Sequence, residues 1–124
     1  GTMGSNQASS RILSVEDQPA FSLLVEAMLQ DIGIRDVSSV ATVADALSEL
    51  HRQLFDLVIL DIQLGDENGM IVADYCAERD IPVIFSTGFG KVMCPVTQYS
   101  EQVLLKPYTI EQLRNAVRRA FAVH

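Results

Sequence analysis

Apolar residues along this chain alternate between short continuous runs and helical stripes. RILSV at 11–15 reads as a strand. Phe21, Leu24, Val25, Met28, Leu29 and Ile32 then recur at three- and four-residue spacing, one face of a helix. Pro19 suits that helix's first turn, where its missing N–H has no partner to lose, and Gly33 ends it. Residues 34–40 alternate weakly as a second strand, and Thr42 can cap a helix carrying Val43, Ala46, Leu47 and Leu50 on one face. LVIL at 57–60 is continuous rather than alternating, as suits a parallel strand covered on both sides. A third helix is expected from about Gly69 to Arg79, a fourth strand at 81–87 (IPVIFST) and a fifth at 102–106 (QVLLK). The last helix opens with Thr109 and Gln112 at capping-box spacing and carries Ile110, Leu113, Val117, Ala120 and Phe121 on its apolar face. Between the last two strands, GFGKVMCPVTQYS at 88–100 contains Gly88, Gly90 and Pro95, so the fourth helix of the series is expected to be short or irregular.

Strand and helix thus alternate five times, which predicts an α/β domain with a parallel sheet and helices on both faces. The chain's 124 residues suffice for one core, and 48% hydrophobic against 20% charged residues makes it globular rather than disordered. Residues 1–10 read as an expression scar and disordered lead-in, leaving 11–124 as the domain. No apolar run approaches the roughly 18 residues of a membrane span and no export signal is seen, so a cytoplasmic protein without membrane contact is expected. Cys76 and Cys94 lack metal-ligand spacing and read as reduced thiols. A formal charge of −7 argues against direct nucleic-acid binding, which needs a basic face.

In parallel α/β sheets functional groups collect at the carboxyl ends of the strands. Here strand one ends in Glu16 and Asp17, strand three in Asp61, strand four in Ser86 and Thr87, and strand five in Lys106. A lone acid at a strand end is usually a cap or turn former, but clustered carboxylates repel unless a cation joins them. Hard oxygen ligands suit Mg²⁺, and a carboxylate beside it can act as a nucleophile toward phosphorus. That assigns Asp61 as nucleophile, Asp17 and Glu16 as metal acids, Lys106 as charge partner and Thr87 as donor to a phosphoryl oxygen.

VED at 15–17, LVILD at 57–61, Gly69 eight residues beyond Asp61, STG at 86–88 and KPY at 106–108 together resemble the receiver domain of bacterial two-component response regulators. The resemblance covers residues 11–122 and implies a flavodoxin-like (βα)5 fold with strand order 2-1-3-4-5. It also implies that a sensor histidine kinase or phosphotransfer protein donates a phosphoryl group to Asp61. Mg²⁺ would be held by Asp17 directly, by Glu16 through water, and by the Gln63 backbone carbonyl. The result is a signalling switch that phosphorylates and dephosphorylates itself but has no metabolic substrate. Its output would pass to a downstream protein partner or fused effector. Standalone, phosphorelay and truncated forms all stay open.

The chain departs from the family pattern in three places, one of them the stretch 88–100, where the family's fourth helix normally lies. Val103 stands where most receivers carry an aromatic three positions before the lysine, and neither Tyr99 nor Tyr108 occupies the matching place. Gly65 replaces a proline common after the acceptor loop, so loop 62–68 is expected to be looser. Gln63 and Phe89 occupy positions that in the family tune loss of phosphate. FSTGFG at 85–90 resembles a subclass with Phe-Ala-Thr-Gly at the fourth strand, often paired with kinases of the HWE type. Two other readings fare worse. A phosphohydrolase of the haloacid-dehalogenase type needs a carboxylate where Gln63 stands, and a flavin carrier needs a phosphate-cradling loop where EDQP stands. His51 reads as a solvated helix-end residue, and Arg114, Arg118 and Arg119 as a solvated or partner-docking face.

Overall fold

The computed structural model describes residues 9–88 and 102–122. Counting the strands of the main sheet, its elements are β1 (Arg11–Val15), α1 (Pro19–Ile32), β2 (Asp36–Val40), α2 (Val43–Arg52), β3 (Leu57–Asp61), α3 (Met70–Glu78), β4 (Val83–Gly88), β5 (Val103–Lys106) and α4 (Ile110–Ala122). All four strand pairings are parallel and the order is β2-β1-β3-β4-β5, as expected. The segment expected to hold a short or irregular helix, with Phe89, Cys94 and Tyr99, lies outside the described residues apart from Gly88, which ends β4. No helix among the described residues is long and apolar enough to cross a membrane.

Because side chains alternate along a strand, each buried strand feeds two cores. Leu13, Val15, Val58, Leu60 and Phe85 meet Val43, Ala46 and Leu50 of α2 and Val72, Ala73 and Cys76 of α3. Ile12, Leu57, Ile59, Ile84 and Leu104 meet Val25, Met28 and Leu29 of α1 and Leu113, Ala116, Val117 and Ala120 of α4. Fully burying a side chain such as Leu13, Leu60 or Phe85 contributes about 1.5–3 kcal/mol. Leu24 is the exception to the expected stripe on α1: it is 46% exposed. At 100° per residue it falls at the rim of an arc centred on Val25 and Ile32.

The helix ends follow local chemistry. Pro19 opens α1, and Gly33 closes it at φ 107° with its N–H turned back to Gln30 and Leu29. The Thr42 hydroxyl accepts from the Asp45 N–H at 3.0 Å. At the start of α4, Thr109 and Gln112 exchange bonds: the Thr109 N–H donates to Gln112 Oε1 at 2.8 Å, and the Gln112 N–H donates to Thr109 Oγ1 at 3.1 Å. His51 is exposed at the end of α2 as expected, but its ring also stands edge-on to Tyr75, centroids 5.2 Å apart.

Loop 62–68 differs from expectation. Instead of a loose loop it is a small antiparallel hairpin, Gln63 opposite Asn68 and Leu64 opposite Glu67. Gly65 supplies the turn at φ 60°, a left-handed conformation that proline cannot reach. Leu64 is buried in the core and anchors it. The hairpin closes on Gly69, whose N–H donates to the Ile62 carbonyl at 2.5 Å. A Cβ on Gly69 would lie 2.6 Å from the Asp61 carbonyl oxygen and 2.9 Å from that of Ile62. Both are backbone atoms, so close approach, not unusual dihedrals, demands glycine here. Gly69→Ala is therefore expected to cost about 1–3 kcal/mol by overpacking, read as a lower urea midpoint. An unchanged midpoint would mean that the backbone after Asp61 yields freely.

Candidate phosphoacceptor and metal site

Three strands bring their carboxyl ends to one edge with matched side-chain parity. Leu57 and Ile59 face the α1–α4 layer, so Asp61 two residues on faces it too. The same count carries Ile12 to Glu16, whose N–H extends the sheet by donating to the Val40 carbonyl at 2.9 Å. From Leu104 it leads to Lys106. The three charged groups therefore meet on one side of the sheet. Lys106 Nζ lies 2.6 Å from Glu16 Oε1 and 2.8 Å from Asp61 Oδ2, with all three side chains largely shielded from water.

Each carboxylate is also oriented by a backbone amide. The Gln18 N–H donates to Glu16 at 3.1 Å, the Gly65 N–H to Asp17 at 3.0 Å and the Gln63 N–H to Asp61 at 3.0 Å. Glu16, Asp17 and Asp61 can each present an oxygen within 4.8 Å of the others, and Asp17 is the exposed member. Three hard, amide-oriented oxygens fit a divalent cation of the Mg²⁺ kind, which takes few protein carboxylates and keeps its other positions for water and substrate. Gln63 stands at the start of the hairpin. Its amide N–H is the group bonded to Asp61. Thr87 is buried near the end of β4, one step past Ser86, which pairs in register with Asp61.

Burial drives the electrostatics of the cluster. Desolvation raises the Glu16 carboxyl above its ordinary value against the opposing pull of Lys106 and the Gln18 amide. Desolvation also pushes Lys106 down, but the hydrogen bonds and charges of Asp61 and Glu16 outweigh it and hold the ammonium above its ordinary value.

Two aromatic groups missed by the motif reading complete the surroundings. The Lys106 ammonium sits 4.7 Å from the ring centroid of Phe21, and Tyr108 meets Phe21 edge-on at 5.4 Å. Tyr108 is buried, with its hydroxyl 3.5 Å from that of Ser86. KPY and the inner face of α1 carried the signal for both, but nothing in a linear sequence joins positions 21 and 108. Val103 is half-buried and packs against the α2–α3 core.

A model of the response regulator receiver domain matches residues 12–118. The chain belongs to that family. Among solved structures it is similar to SdrG from Sphingomonas melonis Fr1, at 35% identity and TM-score 0.74 over 93% of this chain and 95% of that one. It is also similar to the receiver domain of PhyR from Erythrobacter litoralis, at 28% identity and TM-score 0.76 over 98% and 94%. The two-component response regulator ORR22 of rice is 34% identical over 90% of this chain. The chain spans only 17% of that relative's length.

In this receiver, removing the ammonium strands two shielded carboxylates. Lys106→Met, which keeps the stem's packing, is expected to lower stability by about 3–5 kcal/mol in metal-free buffer. A urea-denaturation loss below about 1 kcal/mol would show that water compensates the pair. Tyr108 gives a second readout. Burial, helped by the Glu16 and Asp61 charges and opposed by the Ser86 bond, pushes its phenol up to about 12. The unfolded phenol ionises near 10, so stability from this group is full below that pH and is lost between about 10 and 12. Tyrosinate absorbance should show a late-titrating component that disappears in Tyr108→Phe.

Proposed function

We propose that this receiver accepts a phosphoryl group on Asp61 from a sensor histidine kinase or phosphotransfer protein, in a Mg²⁺-dependent reaction, and thereby switches binding of a downstream protein or fused effector. The observation that carries the reading is the Asp61 carboxylate itself, shielded at a strand end against Lys106 Nζ at 2.8 Å and inside an acidic cluster with Glu16 and Asp17. Purely structural packing does not call for three carboxylates at one sheet edge.

Asp61 is the nucleophile. One carboxylate oxygen attacks phosphorus; the bond from phosphorus to the donor's imidazole nitrogen breaks, and its electron pair stays with that nitrogen. The Gln63 N–H holds the carboxylate's orientation during the attack. Lys106 remains paired with Glu16 while its bond to Asp61 is exchanged for one to a phosphoryl oxygen. Thr87 supplies a hydroxyl for a further phosphoryl oxygen. Glu16, Asp17, Asp61 and the Gln63 carbonyl would hold Mg²⁺, which supplies charge neutralisation on the phosphoryl oxygens. Loss of phosphate breaks the same bond: water attacks phosphorus, the bond from phosphorus to the Asp61 oxygen breaks with its electron pair returning to the carboxylate, and inorganic phosphate leaves with the water's proton released to solvent. The switch thus catalyses its own gain and loss of phosphate and acts on no metabolite. A donor kinase of the HWE type rests on FSTGFG alone, of which Phe89 and Gly90 fall outside the described residues.

Intact mass after incubation with Mg²⁺ and acetyl phosphate tests this. One phosphoryl adduct is expected, absent with chelator and absent in Asp61→Asn. An adduct that persists in Asp61→Asn would move the acceptor elsewhere.

A further inference from the structure

The hairpin that follows Asp61 is tied down at both sides, and one tie is not explained by the phosphoryl chemistry. On one side the Gly65 N–H holds Asp17, a candidate metal acid, at 3.0 Å. On the other, Glu67 reaches out of the hairpin, and its Oε1 accepts from the Val43 N–H, the first amide of α2, at 3.2 Å. Thr42 already caps that helix at Asp45, so Glu67 serves a different amide on the same turn. Glu67 also pairs across the hairpin with Leu64, whose side chain is buried, and Gln63 beside it directs its N–H to Asp61.

From this we infer that Glu67 is a positioning residue for the metal site: by binding the hairpin to α2 it fixes the amides that orient Asp17 and Asp61. The physical case is one of charge and reach. Another carboxylate on this acidic loop is repelled by Asp17, Asp61 and Asp66, and the N-terminus of α2 offers it the nearest compensating partial charge. Glu67 therefore points away from the metal acids and pulls the hairpin's second strand outward with it. The Gly65 turn then keeps its N–H on Asp17. Without the tie, the six residues 63–68 keep Leu64, two residue pairings, the Gly65–Asp17 and Gln63–Asp61 bonds and the Met70 N–H on Asn68 Oδ1, but no hydrogen bond among the described residues fixes the hairpin to α2. The ligand carboxylates then lose pre-orientation that cation binding would have to restore.

The inference rests on the proposed Mg²⁺ site, and the test separates the two. Mg²⁺ alone is titrated into the wild-type chain, Glu67→Ala, Glu67→Gln and Thr42→Ala, following backbone amide shifts of Asp61, Gln63 and Gly65, with thermal unfolding measured alongside. Thr42→Ala removes a cap from the same helix without touching the hairpin. Glu67→Ala should weaken Mg²⁺ binding about three- to tenfold, less than the ~10–100-fold loss typical of a group bonded directly to a ligand. Glu67→Gln, which keeps the acceptor oxygen, should recover most of it, and Thr42→Ala should lower the melting temperature while leaving Mg²⁺ affinity as it is. If Glu67→Ala lowers the melting temperature as Thr42→Ala does but binds Mg²⁺ like wild type, Glu67 is only a helix cap and the inference is overturned. A wild-type chain that binds no Mg²⁺ overturns the site reading and this inference together.

Discussion

The ammonium of Lys106 is the group on which the arrangement of this receiver's active edge depends. Parallel strands deliver Glu16 and Asp61 side by side, and their mutual repulsion in a water-poor setting would splay that edge unless a cation stood between them. Lys106 Nζ meets both within 2.8 Å. It can do so because β5 lies two strands from β3 with the same side-chain parity, and because Phe21 closes the space beneath the ammonium. A cation held this way is available for a second partner. Under the proposed phosphorylation of Asp61, Lys106 would have only to shift between oxygens while Glu16 keeps it in place.

The acceptor loop obeys the same logic on a smaller scale. Gly69 starts α3 where a Cβ would come within 2.9 Å of two carbonyl oxygens, Gly65 turns the chain in a left-handed conformation, and the amides so placed each meet a carbonyl or carboxylate. The loop is thus ordered by backbone donors rather than by the ring of a proline. Its outer strand is bonded to α2. An aliphatic Val103 packs into the α2–α3 core, and this loop joins Asp61 to α2.

The aromatic contacts on the other face have a different consequence. Tyr108 is locked between Ser86 and Phe21, so the residue after the cis Lys106–Pro107 bond is part of the α1–α4 core. It braces β5 behind the lysine, which links the site to the packing of α1 and α4.

Most of the fold was legible along the chain because its signals are local. Apolar runs and stripes, Pro19, Gly33, Thr42 and the Thr109–Gln112 box all act within a few residues, and each element they mark is present. The candidate site was legible as well, since strand ends at one sheet edge follow from topology, and Glu16, Asp17, Asp61 and Lys106 do converge there. What escaped were contacts between positions far apart in sequence, the Glu67 tie to Val43 and the meeting of Phe21 with Lys106 and Tyr108, together with the exposure of Leu24 at the rim of its stripe. The hairpin at 63–68 was missed for a related reason, because a glycine read as looseness is, once its amide finds Asp17, the means of a tight turn. The amino-acid order by itself determined the elements, their alternation and the identity of the charged edge, through forces that act between near neighbours. Only the tertiary structure decided which amide, ring or ammonium each of those charges meets, because that is settled by distances across the sheet rather than along the chain.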